Sequence, residues 1–200
     1  MASGPRYSVP FRRRREGRTD YALRKALVVS GKPRAVVRRT NKYVYIQIIE
    51  AHPSGDTVSA SASSKELAKL GWKGGTGNLP AAYLTGSLAG RRALQRGVNE
   101  AILDIGLRSS TKGSRAYAAL KGLADSGLQV PHSPENLPSV ERLGGSHIAK
   151  YAHSLSTEAA EAYKKQFSRR IASGVKPENL PEHFQQIRQQ IQSLVLEASA

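Results

Sequence analysis

Between Arg34 and Ser63, apolar and polar residues alternate with a period of two, as in half-buried strands. Arg34–Arg39 is one predicted strand, and Thr40-Asn41 marks a turn. Lys42–Glu50 (KYVYIQIIE) is the strongest: Val44, Ile46 and Ile48 share one face, and Tyr43, Tyr45 and Gln47 the other. His52-Pro53-Ser54-Gly55-Asp56 reverses the chain, and Thr57–Ser63 (TVSASAS) returns it as a third antiparallel strand. Ser64–Leu70 is predicted as a short helix. Downstream the period lengthens. Leu84, Leu88, Leu94, Val98, Ala101, Ile102 and Ile105 form one stripe of a helix predicted over residues 83–105, with Arg92, Arg96 and Asn99 on its polar flank. Leu107–Thr111 is a candidate fourth strand. Ser114 is placed to cap a helix bearing Tyr117, Leu120 and Leu123, which Gly127 ends. Residues 129–140 (QVPHSPENLPSV) read as a linker. Ser156 is the predicted cap of a helix carrying Tyr163, Phe167 and Ile171. Asn179 is the predicted cap of a last helix with Glu182 in its first turn and Phe184, Ile187, Ile191, Leu194 and Val195 as its core stripe.

The residues before the first strand follow neither period. Tyr21–Val29 has the makings of a short helix, stopped by Gly31 and Pro33. Ahead of it stands FRRRREGRTDY (Phe11–Tyr21): Arg12, Arg13, Arg14 and Arg15 in a row, then Arg18, with an aromatic residue at each end. Like charges packed this closely repel and favour an extended chain unless a polyanion supplies the counter-charge. Arginine grips phosphate with two parallel hydrogen bonds and stacks on bases. Phe11 and Tyr21 are positioned to add base stacking, worth roughly 1–3 kcal/mol per base.

Charge extends this picture. The 200 residues carry 31 Lys+Arg against 15 Asp+Glu, a net charge of +16. Residues 1–50 hold 13 basic and 3 acidic residues, residues 129–200 only 8 and 7. A basic head on a near-neutral tail points to a polyanionic partner at one end. The absence of cysteine removes disulfides, thiolate metal sites and a cysteine nucleophile. No stretch approaches the length of a membrane span and no signal-peptide core is seen, so a soluble cytoplasmic protein is expected.

Enzyme signatures are weak or absent. The glycine-rich loop Gly71–Pro80 (GWKGGTGNLP) matches neither phosphate-binding fingerprint, although its amides, Trp72 and Lys73 suit RNA as well as a plain turn. Ser109-x-x-Lys112 and Ser173-x-x-Lys176 fit an acyl-transfer pattern, but its companion motifs are missing. His52, His132, His147, His153 and His183 are scattered, with no metal-binding spacing. No metal, cofactor or catalytic residue is expected. Tyr43, Tyr45 and Tyr83 fit either base stacking or the cover of a sheet.

The segments Pro5–Tyr21, Gly31–Lys42, Ser64–Leu94 and Leu103–Leu128 together resemble one family: the large-subunit ribosomal protein that binds 5S ribosomal RNA, protein eighteen in archaea and bacteria and protein five in eukaryotes. The arm and the TGN-x-x-x-AYLTG stretch (Thr76–Gly86) carry it most specifically, and Gly145–Tyr151 and Leu180–Phe184 resemble the archaeal form. The resemblance implies an α/β (α+β-like) fold: a small, mostly antiparallel sheet with helices on one face, a basic N-terminal arm and a helical C-terminal extension. It divides the chain into an RNA-binding arm (1–28), a compact RNA-binding domain (29–128) and a linker with helical extension (129–200).

It also implies a structural role in the central protuberance of the large subunit, not an activity. The expected partners are 5S rRNA, large-subunit rRNA and neighbouring ribosomal proteins, with no membrane and no small-molecule substrate. RNA contact is implied for Arg6, Arg12, Arg13, Arg14, Arg15, Arg18 and Tyr21, and further for Lys73, Asn78, Tyr83, Thr85, Arg91 and Arg92. Arg91 lies near the apolar stripe and is equally suited to anchoring packing. Phe11, Arg24, Lys25, Arg38 and Lys42 complete the expected RNA-facing set. The competing reading is a free-standing nucleic-acid-binding or compacting protein.

Overall fold

A computed structural model describes residues 4–197, without the side chains of Arg169 and residues 194–197. Three strands follow the predicted alternation: β1 (Arg34–Arg39), β2 (Val44–Glu50) and β3 (Thr57–Ser63). Along β2, Val44, Ile46 and Ile48 are buried while Tyr45 and Gln47 are exposed. The sheet runs β3-β2-β1-β4, with antiparallel β1–β2 and β2–β3 pairs and a parallel β1–β4 pair. The register aligns Arg38 with Tyr45 and Tyr45 with Ser63, so these residues share the face turned away from the core.

The fourth strand is β4 (Ile102–Asp104), not Leu107–Thr111. The long helix is α3 (Leu79–Gln95), shorter at its C-terminus than the apolar spacing suggests. Arg96 caps it, and Gly97 comes next at φ +78, a left-handed turn that a side-chain-bearing residue adopts only with strain. The Val98 amide then bonds back to the Ala93 carbonyl at 3.0 Å. Val98 and Ala101 are buried as predicted, but beyond the helix. Asn78 caps the front end, its Oδ1 accepting from the Ala81 amide at 3.0 Å.

Helix α4 (Arg115–Asp125) begins after Ser114 and stops before Gly127. It crosses α3 where Gly86 faces the Ala119 backbone and Gly122 faces the Tyr83 and Ser87 backbone, leaving no room for a Cβ at either glycine. Both helices pack on the face carrying Ala35, Val37, Val44, Ile46 and Ile48.

Among the described residues, the rest of the chain holds the α-helices α5 (Val140–Gly144), α6 (Ser146–Glu158), α7 (Ala160–Ala172) and α8 (Leu180–Glu197). Ser156 lies inside α6, where its hydroxyl bonds the His153 carbonyl, and Tyr163 and Phe167 belong to the next helix. α8 begins directly after Asn179. Its Leu180, Phe184, Ile187 and Ile191 join the same core as the sheet. Burial of such side chains contributes roughly 1.5–3 kcal/mol each. The predicted continuation of that stripe, Leu194 and Val195, lies outside the described side chains.

Before the sheet stand α1 (Arg12–Arg15), a single turn, and α2 (Tyr21–Val29). Neither contains a buried residue. α2 lies over the opposite face of the sheet, where Leu23 and Leu27 line a groove with Val36 and Ile49.

Candidate nucleic-acid interface

The arm is folded locally rather than extended. Local contacts offset the repulsion within the arginine run. Glu16 pairs with Arg12 at 3.9 Å and with Arg18 at 3.3 Å, and the Arg13 Nε donates to Thr19 Oγ1 at 2.9 Å. The Asp20 carboxylate caps α2, accepting from the Ala22 and Leu23 amides. Phe11 and Tyr21 meet at 5.1 Å between ring centroids, so each spends part of its face on the other. Phe11 nevertheless remains 70% exposed. The arginine side chains stay open to solvent. Arg6, Arg14 and Arg15 make no ion pair or side-chain hydrogen bond among the described residues, and neither do the side chains of Lys25, Lys42 and Lys73.

Several arginines of α2 and the body are instead engaged by protein groups. Arg24 binds both oxygens of Asp56, at 3.0 and 2.9 Å. Arg38 donates to the Asp104 carbonyl and carboxylate. Arg92 pairs with Glu66 at 2.8 Å and bonds the Ser61 carbonyl, stapling α3 to β3. Arg91 reaches the Gln192 carbonyl at 3.2 Å, so it anchors α8, in line with its place beside the apolar stripe.

Three further candidates are withdrawn from the surface or already engaged. Thr85 is fully buried, its hydroxyl bonding the Ala81 carbonyl at 2.7 Å. Tyr83 is 3% exposed and donates to Asp125 at 2.8 Å, with Phe184 and Arg188 of α8 against its ring. Burial first, and then the Asp125 hydrogen bond and charge, push its phenol far above the ordinary range. Asn78 serves as the cap of α3. The TGN-x-x-x-AYLTG stretch is thus a folding element. Residues Pro80–Gly90 are buried on every side because α3 is enclosed by the sheet, α4 and α8.

The glycine-rich loop is held by protein. Thr76 bonds the Lys42 carbonyl, Arg115 the Gly77 carbonyl, and Trp72 the Gly75 carbonyl. His183 of α8 stacks on Trp72 at 5.2 Å, and its Nε2 accepts from the Lys73 amide at 3.1 Å. Burial, the main cause, holds the His183 pKa below its ordinary value.

The fold also brings Arg34, Arg39 and Arg108, which sequence reasoning left out, beside arginines it had named. A groove of about 370 Å³ opens between α2 and the outer sheet face, lined by Arg13, Arg18, Arg24, Arg34, Arg38, Arg39 and Arg108 against Asp20, Asp56 and Asp104. Arg39 and Arg108 lie close enough to Arg115 to lower its pKa, after the larger effect of burial. No sequence pattern links positions 39, 108 and 115; the strand end, the loop after β4 and the start of α4 bring them together. Such a groove attracts a polyanion over several ångströms. Among the described residues, no group of three or more His, Asp or Glu is placed to hold a metal ion, and no helix is long and apolar enough to cross a membrane.

The sequence that builds this arm and body matches a known family. The model of ribosomal large-subunit proteins 60S L5 and 50S L18 matches residues 5–100 and 95–133. The chain belongs to this family. The large ribosomal subunit protein uL18 of Caldivirga maquilingensis is 53% identical over 192 residues, covering 96% of this chain and 93% of that protein. The uL18 of Aeropyrum pernix is also 53% identical, over 96% of this chain and 90% of its own length. That of Methanothermobacter thermautotrophicus is 52% identical over 96% and 98%. These matches run through the C-terminal helices as well as the family core. Members of the family are structural ribosomal components rather than enzymes.

Proposed function

We propose that this chain is a structural constituent of the cytoplasmic large ribosomal subunit, where it binds 5S ribosomal RNA and helps attach it to the large-subunit RNA in the central protuberance. The observation that carries the reading is the solvent-exposed arginine run of the arm, in which Arg6, Arg14 and Arg15 have no partner among the described residues, in a chain of this family. Residues 1–28 form the RNA-binding arm, and residues 29–128 form the domain that presents it. Residues 129–200 form an extension whose free surface meets neighbouring ribosomal proteins. Arg6, Arg12, Arg13, Arg14, Arg15 and Arg18 neutralise phosphates, and Lys25, Lys42 and Lys73 with Arg39 and Arg108 widen the basic surface. Phe11 and Tyr21 exchange their mutual contact for bases. Recognition rests on backbone charge and shape, with few contacts to base edges.

Copurification tests this. The chain should recover from archaeal lysate at moderate salt with a discrete RNA of 5S size. Recovery with heterogeneous DNA would instead support a free-standing compacting protein.

A further inference from the structure

Helix α2 carries the arm, yet contains no buried residue. Leu23 is 41% exposed and Val29 75%, so apolar packing holds it weakly. Its firm tie to the body is ionic. Arg24 meets the Asp56 carboxylate at 3.0 and 2.9 Å. Asp56 stands just before β3, and its Oδ2 also accepts from Arg34 at 2.6 Å. Arg34 is 4% exposed and continues to Asp104 at 3.2 Å, which in turn holds Arg38 at 3.1 Å. A line of alternating charges thus runs from the arm helix into the sheet, with Asp56 as the joint between its exposed and buried halves.

We infer that Asp56 is a positioning residue for RNA binding: it latches α2 to the sheet and so aims the arginine arm. This deepens the proposed function and rests on it. The inference fixes the sign of an effect. Asp56→Asn removes a negative charge beside a basic groove. On charge alone, RNA affinity should rise. A latch predicts the opposite. Without it the arm loses its preset direction, and binding must meet the cost of ordering α2 as well as the arm. An ion pair of intermediate exposure is worth a few-fold in affinity, here about fivefold.

The test measures 5S RNA affinity at fixed salt, the thermal transition and hydrogen exchange across α2 in the free protein. Asp56→Asn should bind about fivefold more weakly, keep a cooperative transition at a lower temperature because the buried Arg34 loses one of its two carboxylate partners, and exchange faster from Leu23 to Val29, while Asp56→Glu should restore binding. Equal or tighter binding by a folded Asp56→Asn overturns the inference. Should Asp56→Asn fail to fold, Arg24→Gln leaves the Arg34–Asp56–Asp104 line in place. Its α2 should then exchange faster with the body unchanged, and parent-like protection refutes the latch. If the parent chain itself binds no 5S RNA, the functional reading falls and the positioning role with it. Exchange in α2 would still show separately whether the latch exists.

Discussion

The first and last helices among the described residues flank the same α/β body, but the segments they belong to spend their side chains in opposite ways. Helix α8 gives Leu180, Phe184, Ile187 and Ile191 to the common core, and its His183 and Arg188 also face inward, on Trp72 and Tyr83. The arm and α2 give the core nothing. Many of the arginines follow a similar trend: Arg34, Arg38, Arg91 and Arg92 are bound to carboxylates or carbonyls of the body, whereas Arg6, Arg14 and Arg15 have no such partner among the described residues, although Arg12, Arg13 and Arg18 have local ones. A residue satisfied within the fold offers little to a partner. An exposed row of like charge that local contacts only partly offset is best accounted for by something outside the chain.

The sharpest way to break this comparison is to empty the α8 stripe. Phe184→Ala with Ile191→Ala should lower stability by roughly 4–8 kcal/mol, since single large-to-alanine core changes cost about 2–5 kcal/mol. Denaturant unfolding reads this directly, and an unchanged midpoint would mean that α8 is not part of the core. Deleting residues 1–19 should do the reverse. The thermal midpoint should stay within a few degrees, while 5S RNA affinity at physiological salt drops by on the order of a thousandfold. Loss of the cooperative transition would make the arm structural. A smaller effect separates folding from binding inside the TGN motif. Asn78→Ala should cost about 1 kcal/mol through the lost helix cap. RNA affinity of the folded variant should be unchanged, because Asn78 is occupied by the Ala81 amide.

The smallest effect is in pH. Burial of His183 depresses its pKa, Lys73 adds to this, and a hydrogen bond to Gln186 opposes it. The native state therefore binds fewer protons than the unfolded one just below the ordinary value of 6.5. Its contribution is fully present above that value and is lost as pH falls toward the lower native pKa. His183→Gln should flatten this part of the stability profile, and a profile identical to the parent's would remove His183 from the account.

Most of the sheet was legible because β2 and β3 alternate cleanly and their turn is local. The α8 stripe was legible because Phe184, Ile187 and Ile191 keep helical spacing. Three differences between expectation and structure have physical causes. Val98, Ala101 and Ile102 continue the spacing of α3, yet Gly97 ends the helix. Ile102 and Leu103 instead pair in parallel with Arg34 and Ala35, a contact between distant segments that no local pattern encodes. Tyr83 and Thr85, expected to face RNA, are buried because small residues such as Gly86 let α4 close over α3, and Asn78, expected there too, caps that helix. The division at Ser156 missed the break at Ala159, where an alanine leaves helical geometry without a glycine or proline to mark it. Within the candidate interface, the arm could be read from its charge run alone. Arg39, Arg108 and the Asp56 latch required the fold.

The arm, and not the body, should supply most of the phosphate contacts. This is tested most directly by the salt dependence of 5S RNA binding, measured for the full chain and for the chain lacking residues 1–19. The six arginines of the arm should make the slope of log affinity against log salt steeper by about four to five in the full chain. Equal slopes for the two chains, or a flat titration of the full chain, would contradict it.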